Sequence, residues 1–300
     1  ERGWEEGWIH PQLPEQLTGK CIAVVGSGPA GLAGAQQLRR AGHDVTVFEK
    51  DNRIGGLLVY GIPDFKLDKK VVTRRVEQLR AEGIKFRIGV HVGVDYSVKE
   101  LRNSFDAILL ATGAQNARKL MVEGSDLEGV HYAMHYLPQR NREVAGDSIP
   151  EEQKIESGNK KAVILGGGFT AADCLGNLNR QGANPNIHQF ELVDMVPRPT
   201  PVHKEANPDC RANILTEKII SDDSGRVKAL QAVCVEWKWE ANGNSPPGRM
   251  TMQRVPGSEF SVSTDLVFLA LGFLGPKLDG LLEGLGVELN VRVGENSPSL

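Results

Sequence analysis

The fold is decided by CIAVVGSGPAGLAGAQQL (residues 21–38), whose pattern returns as KAVILGGGFTAADCLGNL (residues 161–178). Each stretch has a short β-branched run, a glycine-rich turn and a segment with helical character. The first turn has the form G-x-G-x-x-G, and the second has the form G-x-G-x-x-A. The small residues are Gly26, Gly28 and Gly31 in the first turn and Gly166, Gly168 and Ala171 in the second.

This spacing has a physical meaning when a strand precedes the turn and a helix follows it. The first glycine permits the tight turn, the second lets the backbone approach a pyrophosphate, and the third small residue lets helix and strand pack closely. The helix N-terminus then offers free N–H groups and partial positive charge to the phosphates. Two such turns in one chain predict an α/β protein with two Rossmann-like dinucleotide-binding domains that face each other.

Each turn also has the acidic partner expected about 20 residues further on, at the end of the next strand. VTVFEK places Glu49 there in the first unit, and IHQFEL places Glu191 there in the second. Either carboxylate can accept hydrogen bonds from ribose hydroxyls. The two acidic residues disfavour the alternative that these are plain glycine-rich turns of an ordinary α/β sheet.

Composition narrows the class of protein. A length of 300 residues predicts about two domains, and 40% hydrophobic residues suffice for substantial cores. The net charge of −3 indicates no bias toward nucleic acid or anionic lipid. No apolar run reaches the roughly 18 residues that span a bilayer, and the polar N-terminus is not a secretory signal. We therefore expect no nucleic-acid partner and no membrane association.

The cysteine pattern argues against several kinds of site. The chain has 4 cysteines, and none of them forms a C-x-x-C pair. A redox disulfide, a zinc ribbon and an iron–sulfur loop are therefore not expected. The pattern favours a reducing, cytoplasmic location.

The order of segments predicts one domain inserted into another. Residues 1–20 form a connecting segment, and the glycine- and proline-rich residues 51–69 form a loop over a ligand. AILLATGA (residues 107–114) and DLVFLALGFLGP (residues 265–276) are two similar apolar strands that each deliver a small residue and a glycine to a ligand edge. The second dinucleotide unit lies between these two strands.

Several segments strongly resemble the small (beta) subunit of glutamate synthase, within the pyridine nucleotide-disulfide oxidoreductase-like superfamily. They are EEGWIHPQLP (residues 5–14), the run from Ile22 to Lys69, AILLATGA, GGGFTAADCLGNLNRQGA (residues 166–183), HQFELV (residues 188–193) and VPGSEFSVSTDLVFLALGFLGP (residues 255–276). Related flavin modules include the N-terminal half of dihydropyrimidine dehydrogenase.

The resemblance implies an electron-entry subunit. Residues 21–124 with 271–300 would bind FAD, with the C-terminal part of this domain truncated, and residues 125–270 would bind NAD(P)H. A hydride would pass from NAD(P)H to FAD, and electrons would continue through iron–sulfur clusters to the large (alpha) subunit. There L-glutamate would form from 2-oxoglutarate and glutamine. The clusters are expected only in segments outside this sequence or in the partner, and no catalytic side chain is required because the flavin carries the chemistry.

The resemblance also assigns binding residues position by position. The FAD set would be Gly26, Gly28, Pro29, Ala30 and Gly31 at the pyrophosphate, Glu49 at the ribose, Gly56, Leu57 and Lys66 in the covering loop, Val92 at the adenine, and Thr112 and Gly113 at the crossover. The nucleotide set would be Gly166, Gly167, Gly168, Phe169, Thr170 and Ala171 at the second turn, Glu191 at the ribose, and Ala270 and Gly272 at the second crossover. Phe169 stands where the family has Asp.

Glu191 favours NADH over NADPH. A carboxylate accepts hydrogen bonds from two free ribose hydroxyls but repels a 2′-phosphate. No arginine follows it immediately, and the next is Arg198.

Two other functions stay open. The chain could be the FAD/NAD(P) module of another oxidoreductase, of the dihydropyrimidine dehydrogenase type, or a degenerate nucleotide-binding module without catalysis.

A metal site is not expected: His131 and His135 are spaced i, i+4 on a predicted helix, but no third ligand is evident.

Overall fold

The architecture is that of a computed structural model, which describes residues 1–183, 187–193, 210–240 and 249–288. Part of the proline-rich segment 192–212, including Arg198, lies outside these residues. So do Asn242 and Gly243, at which the sequence predicts a turn.

The described residues form two compact units. The first comprises Glu1–Ala117, Val144–Gly146 and the described residues from Phe273 onward. The second comprises Arg118–Glu143 and Asp147–Gly272. In chain order, the second unit therefore lies between the two main parts of the first.

Fifteen strands and eight α-helices are present among the described residues, with a short 3₁₀ helix at Glu151–Gln153. The helices are α1 (Arg2–Glu5), α2 (Pro29–Arg40), α3 (Leu57–Tyr60), α4 (Lys69–Ala81), α5 (Val98–Ser104), α6 (Ala133–Val144), α7 (Phe169–Arg180) and α8 (Leu281–Leu285). The strands are β1 (Cys21–Val25), β2 (Asp44–Glu49), β3 (Lys85–Ile88), β4 (Ala107–Leu110), β5 (Asn116–Ala117), β6 (Val130–Tyr132), β7 (Ala162–Leu165), β8 (His188–Phe190), β9 (Cys210–Arg211), β10 (Ile214–Ser221), β11 (Val227–Glu240), β12 (Arg249–Arg254), β13 (Phe260–Ser263), β14 (Leu266–Leu269) and β15 (Phe273–Gly275).

The first unit is built on a parallel sheet of order β3-β2-β1-β4. The inner strand β1 is buried on both faces, as expected for a parallel sheet covered by helices, whereas the edge strand β3 is largely exposed. One apolar cluster joins β1 and β2 to α2 and α4, and another joins the other face to Leu101 of α5 and Leu281 of α8. The carboxyl ends of β1, β2 and β4 consequently meet at one edge.

The second unit repeats this plan. Its parallel sheet has the order β6-β14-β7-β8-β9. Helices α6 and α7 pack on one face around Tyr136 and Phe268. The other face packs against an antiparallel sheet in which β11 pairs with β10, β12 and β13. The apolar–polar alternation of residues 233–239 predicts a half-exposed strand, and these residues lie within β11.

Four local predictions differ from the structure. The loop at 51–69 contains the helical turn α3. The sequence predicts a connection over 125–160 with a charged stretch from Gln139 onward, and α6 lies within it. The helix predicted through His131 and His135 begins only at Ala133, so His131 lies on β6 and His135 lies on α6. The apolar run 260–270 is two strands, since Thr264 and Asp265 separate β13 from β14.

The N-terminal segment packs along the first unit. Trp4 of α1 lies against the guanidinium groups of Arg74 and Arg75, whose central carbons are 4.5 and 5.1 Å from the centroid of its ring. The backbone N–H of Thr18 donates to the carbonyl of Gly42 at 3.0 Å. Trp8 does not share this packing and is 64% exposed.

Glu82 is the polar centre of this packing. Its side chain is fully buried and accepts hydrogen bonds from Arg40, from the amides of Gln36 and Gln78, and from the backbone N–H of Gln12. Burial by itself raises the pKa of Glu82, but hydrogen bonds from Arg40 and from amide groups outweigh it and hold the pKa below its ordinary value of 4.5. The carboxylate therefore joins the N-terminal segment, α2 and the end of α4 as an anion.

We predict that Glu82→Gln lowers the free energy of unfolding by about 3 kcal/mol at neutral pH, because Arg40 loses its buried ionic partner. The pKa of Glu82 is depressed in the folded protein. Its contribution is therefore present above the unfolded value of about 4.5 and is lost as the pH falls through the folded value. Urea unfolding at pH 7 and at a series of lower pH values measures both effects.

Glu77→Gln is the matched control, since Glu77 is an exposed residue of the same helix. Surface substitutions of this kind change stability by roughly 0.5 kcal/mol or less. An equal loss in the two variants, or a difference that does not shrink in acid, contradicts the role given to Glu82.

Candidate functional site

The first candidate site is the turn between β1 and α2, which we call the first cradle (Gly26–Gly31 with Glu49). Gly26 has a φ of +104°, and a Cβ on it would lie 2.3 Å from the carbonyl oxygen of Ala111. A Cβ on Gly31 would lie 1.9 Å from the carbonyl oxygen of Gly26. Glycine is therefore required at both positions by the contact of strand, helix and crossover.

Gly28, the middle glycine, has a different role. It is the N-cap residue of α2, and a Cβ built on it would meet no protein atom within 4 Å. Pro29 and Ala30 follow as exposed residues of the first helical turn. Pro29 suits the first helical position because its missing N–H would have no partner there. The open space and the free N–H groups of this turn suit an anionic group.

Glu49 closes the first cradle from the end of β2. The residue is 6% exposed, and its Oε2 accepts from the backbone N–H and the hydroxyl of Ser27 at 3.1 and 2.5 Å. Its Oε1 accepts from the backbone N–H of Asp51 at 2.9 Å. The carboxylate is thereby fixed beside the turn, with lone-pair capacity left for a ribose hydroxyl.

The loop at 51–69, the covering loop, lies against this turn. A Cβ on Gly56 would be 2.9 Å from the Cα of Gly28. Leu57 begins α3 and is 52% exposed, and Lys66 is exposed. The structure thus brings Gly56 to the cradle, whereas Lys66 is on the surface of the same loop.

Three other predicted residues lie around the carboxyl edge of the sheet. Thr112 and Gly113 directly follow Ala111, and a Cβ on Gly26 would be 3.3 Å from the Cα of Thr112. Gly113 is exposed and has a φ of +72°. Val92 is 4% exposed and packs with Phe48 and Leu101, so its side chain belongs to the core.

The second cradle (Gly166–Ala171 with Glu191) lies between β7 and α7. Gly166 has a φ of +125°, and a Cβ on it would lie 2.4 Å from the carbonyl oxygen of Ala270. Gly168 is the N-cap of α7, and a Cβ on it would again meet nothing within 4 Å. Ala270 and Gly272 therefore occupy the place that Ala111 and Gly113 have in the first unit.

Glu191 contacts the second turn directly. One carboxylate oxygen accepts a short hydrogen bond from the backbone N–H of Gly167. The other accepts from the backbone N–H of Leu192 at 2.8 Å. A Cβ on Gly167 would lie 2.7 Å from Oε2 of Glu191, so glycine is needed there for this close approach.

The start of α7 carries the predicted nucleotide residues. Phe169 is the first helical residue and is 64% exposed, Thr170 is half-buried, and Ala171 is fully buried. Phe169 places a large apolar ring beside the open glycine. Neither first helical turn of α2 and α7 contains an acidic residue, so the partial positive charge of each N-terminus stays available.

The residues present fit a dinucleotide in each unit. Each cradle combines an open glycine, a helix N-terminus and a carboxylate fixed at the end of the neighbouring strand. Sequence reasoning did not single out Ser27, although a hydroxyl residue between two glycines of the fingerprint was a visible signal. Ser27 is fully buried and hydrogen-bonded to Glu49.

Within the described residues there is no group of three or more His, Cys, Asp and Glu side chains that could hold a metal ion. Burial, together with the nearby His135, lowers the pKa of His131. The same part of the chain contains no helix with the length and apolar character needed to cross a bilayer.

This arrangement of two strand–turn–helix cradles in an interrupted α/β chain defines a class of dinucleotide-binding protein. Residues 20–294 match the family model of the pyridine nucleotide-disulphide oxidoreductases. The chain belongs to this family.

Curated relatives and a solved structure give a finer comparison. The chain is 46% identical to the glutamate synthase [NADPH] small chain of Mycobacterium tuberculosis, over 97% of this chain and 61% of that one. It is 38% identical to the glutamate synthase [NADH] of Schizosaccharomyces pombe, over 100% of this chain and 15% of that one. The fold is similar to that of Mycobacterium tuberculosis FprA in complex with NADPH, with a TM-score of 0.68 at 20% identity, over 94% of this chain and 75% of that one.

The chain thus spans about 61% of the length of the small-chain relatives it matches.

The two kinds of glycine predict unequal effects of alanine on stability. Gly26→Ala should lower the free energy of unfolding by at least about 2 kcal/mol, because the φ is positive and the new Cβ overlaps a backbone carbonyl. Gly28→Ala, two residues away, should change it by about 1 kcal/mol or less, since only the N-cap preference is altered. Denaturant unfolding of the ligand-free protein measures both.

Gly166→Ala and Gly168→Ala repeat this comparison in the second unit. Equal destabilisation by both members of a pair contradicts an open middle glycine.

Proposed function

We propose that the first cradle binds FAD and the second binds a nicotinamide dinucleotide, so that the chain accepts reducing equivalents from NAD(P)H. The observation that carries this proposal is the repeated combination of an open glycine, a helix N-terminus and a fixed carboxylate. Membership of the pyridine nucleotide-disulphide oxidoreductase family supports it. A bound flavin would supply the hydride-accepting chemistry, while the chain supplies binding and orientation.

The proposed domains follow the two units. Residues 21–124 with 271–300 would hold FAD, residues 125–270 would hold the nicotinamide nucleotide, and 1–20 would connect to neighbouring sequence. The backbone N–H groups of α2 and α7 would bind the pyrophosphates. Glu49 and Glu191 would each accept hydrogen bonds from an adenosine ribose. Val92 would meet the adenine through its main chain, because its side chain is buried.

The finer proposal is an electron-entry module of a glutamate synthase. The 46% identity to a glutamate synthase small chain over nearly the whole sequence supports it. Electrons would leave through iron–sulfur clusters held by other segments or by a large-subunit partner, where L-glutamate is formed from 2-oxoglutarate and glutamine. A cytoplasmic location accompanies this proposal, since Cys21, Cys174 and Cys234 form no disulfide within the described residues.

NADH is the proposed donor, on the geometry of Glu191. Its carboxylate is fixed at the end of β8 by the N–H groups of Gly167 and Leu192, where an adenosine ribose would lie. A 2′-phosphate would therefore approach an anion that cannot easily turn away. Arg211, whose backbone adjoins Glu191, has its guanidinium 5.5 Å from the ring of Phe260. The Mycobacterium tuberculosis relative is named for NADPH, so the donor used by this chain must be measured directly.

Substitutions of the two middle glycines, Gly28 and Gly168, test which nucleotide each cradle binds. We expect the full-length protein to be yellow and to lose flavin absorbance when NADH is added without oxygen. Gly28→Ala should lose FAD, because the new methyl occupies the space of the pyrophosphate. Gly168→Ala should keep FAD but raise the NADH concentration needed for half-maximal bleaching by at least about tenfold. Anaerobic absorbance spectroscopy measures each.

A colourless wild-type protein that FAD cannot reconstitute contradicts the enzyme and favours the non-catalytic module. Loss of FAD from Gly168→Ala instead of Gly28→Ala reverses the assignment of the two cradles.

Donor choice is tested by comparing kcat/KM for flavin reduction by NADH and NADPH. We expect NADH to be preferred, and Glu191→Gln to reduce the preference about tenfold by removing the negative charge beside the 2′-position. Glu236→Gln, at an exposed position of β11, is the matched control and should leave the ratio unchanged. Equal or better use of NADPH by the wild type overturns the preference for NADH.

A further inference from the structure

Ser27 lies between the first cradle and the covering loop, and its hydroxyl is fully used. The residue is 0% exposed. Its Oγ donates to Oε2 of Glu49 at 2.5 Å and accepts from the backbone N–H of Gly55 at 3.0 Å. The hydroxyl therefore joins the carboxylate at the end of β2 to the covering loop.

The loop residues beside Ser27 have little freedom. Gly55 has a φ of +132°, and a Cβ on it would lie 2.7 Å from a methyl carbon of Val59. Gly56 has a φ of +52° and lies against Gly28. The hydrogen bond from Gly55 to Ser27 thus fixes the loop at the point where it approaches the open glycine of the cradle.

The second cradle has Gly167 at the position that matches Ser27. Both residues donate their backbone N–H to the acidic residue of their cradle. Only Ser27 has a hydroxyl that can extend this contact to another segment. The carboxylate of the first cradle is therefore linked through a hydroxyl to a second segment, and Gly167 cannot provide such a link in the second cradle, although the two turns have the same plan.

We propose that Ser27 is a positioning residue for cofactor retention: its hydroxyl links Glu49 to Gly55 and holds the covering loop over the first cradle. This inference rests on the proposed binding of FAD in that cradle. A resident cofactor requires slow release, and a loop that must open before the dinucleotide leaves provides it. The nicotinamide nucleotide must exchange in every turnover, and Gly167 leaves its cradle without this link.

Removing the hydroxyl is the direct test. Ser27→Ala deprives the Gly55 N–H and the Glu49 carboxylate of a buried partner, and Ser27→Gly copies the second cradle. In the full-length protein both variants should bind FAD about tenfold more weakly, through faster release, as expected for the loss of one buried hydrogen bond. FAD fluorescence after dilution measures the release rate. The KM for NADH should be unchanged.

Amide hydrogen exchange provides a readout that does not depend on activity. In the FAD-free protein, both variants should exchange the Gly55 amide about tenfold faster, because the opened loop becomes more populated. Ser157→Ala is the matched control: Ser157 is also 0% exposed and hydrogen-bonded, to Gln181 of the second unit. It should change neither FAD release nor exchange at Gly55.

The outcomes separate this inference from the proposed function. Wild-type rates of FAD release in both Ser27 variants, or unchanged exchange at Gly55, overturn the role of Ser27 while FAD binding stands. A wild-type protein that takes up no FAD contradicts the proposed function itself. FAD release that accelerates equally in Ser157→Ala also overturns the inference, because the effect would then be a general loss of stability.

Discussion

The structure depends on a carboxylate that accepts a hydrogen bond from a backbone N–H inside a glycine-rich turn. Glu49 makes this contact with Ser27, and Glu191 makes it with Gly167. A charged acceptor roughly doubles the strength of such a bond. The contact ties the end of one parallel strand to the turn that follows its neighbour. It therefore fixes the shape of the turn and, at the same time, the position of the acid for which we propose ribose binding.

The crossover strand, which is β4 in the first unit and β14 in the second, also packs against each turn through the residue that follows it. Gly26 approaches the carbonyl of Ala111, and Gly166 approaches the carbonyl of Ala270, so closely that a Cβ could not fit between them. This packing explains why the segments AILLATGA and DLVFLALGFLGP are similar. Each sheet presents a small residue and a glycine at the edge where the turn touches it, and the same edge receives the dinucleotide in open α/β sheets.

The sequence was informative where one local rule governs the backbone. The sequence predicts helices over 30–41 and 70–82 and strands over 85–88 and 107–110. Helices α2 and α4 and strands β3 and β4 begin and end within a residue of these limits, because apolar runs and glycine stops act locally. Helix α6 was predicted only over its first residues, because its charged second half and Pro138 resemble a connection, while Tyr136 and Leu137 are fully buried in the core. The contact of Ser27 with Gly55 joins residues 28 positions apart, and no spacing rule predicts it.

The two cradles also differ in how closely helix and turn approach. A Cβ at Gly31 would lie 1.9 Å from the carbonyl oxygen of Gly26, yet Ala171 carries that Cβ at the matching position. The turn before α7 must therefore leave more room than the turn before α2. Ala171 fills this room as part of the buried cluster around Tyr136 and Phe268. The tighter turn accompanies the hydrogen-bonded covering loop, and the wider one accompanies the exposed Phe169, a difference that agrees with the proposed retention of one dinucleotide and exchange of the other.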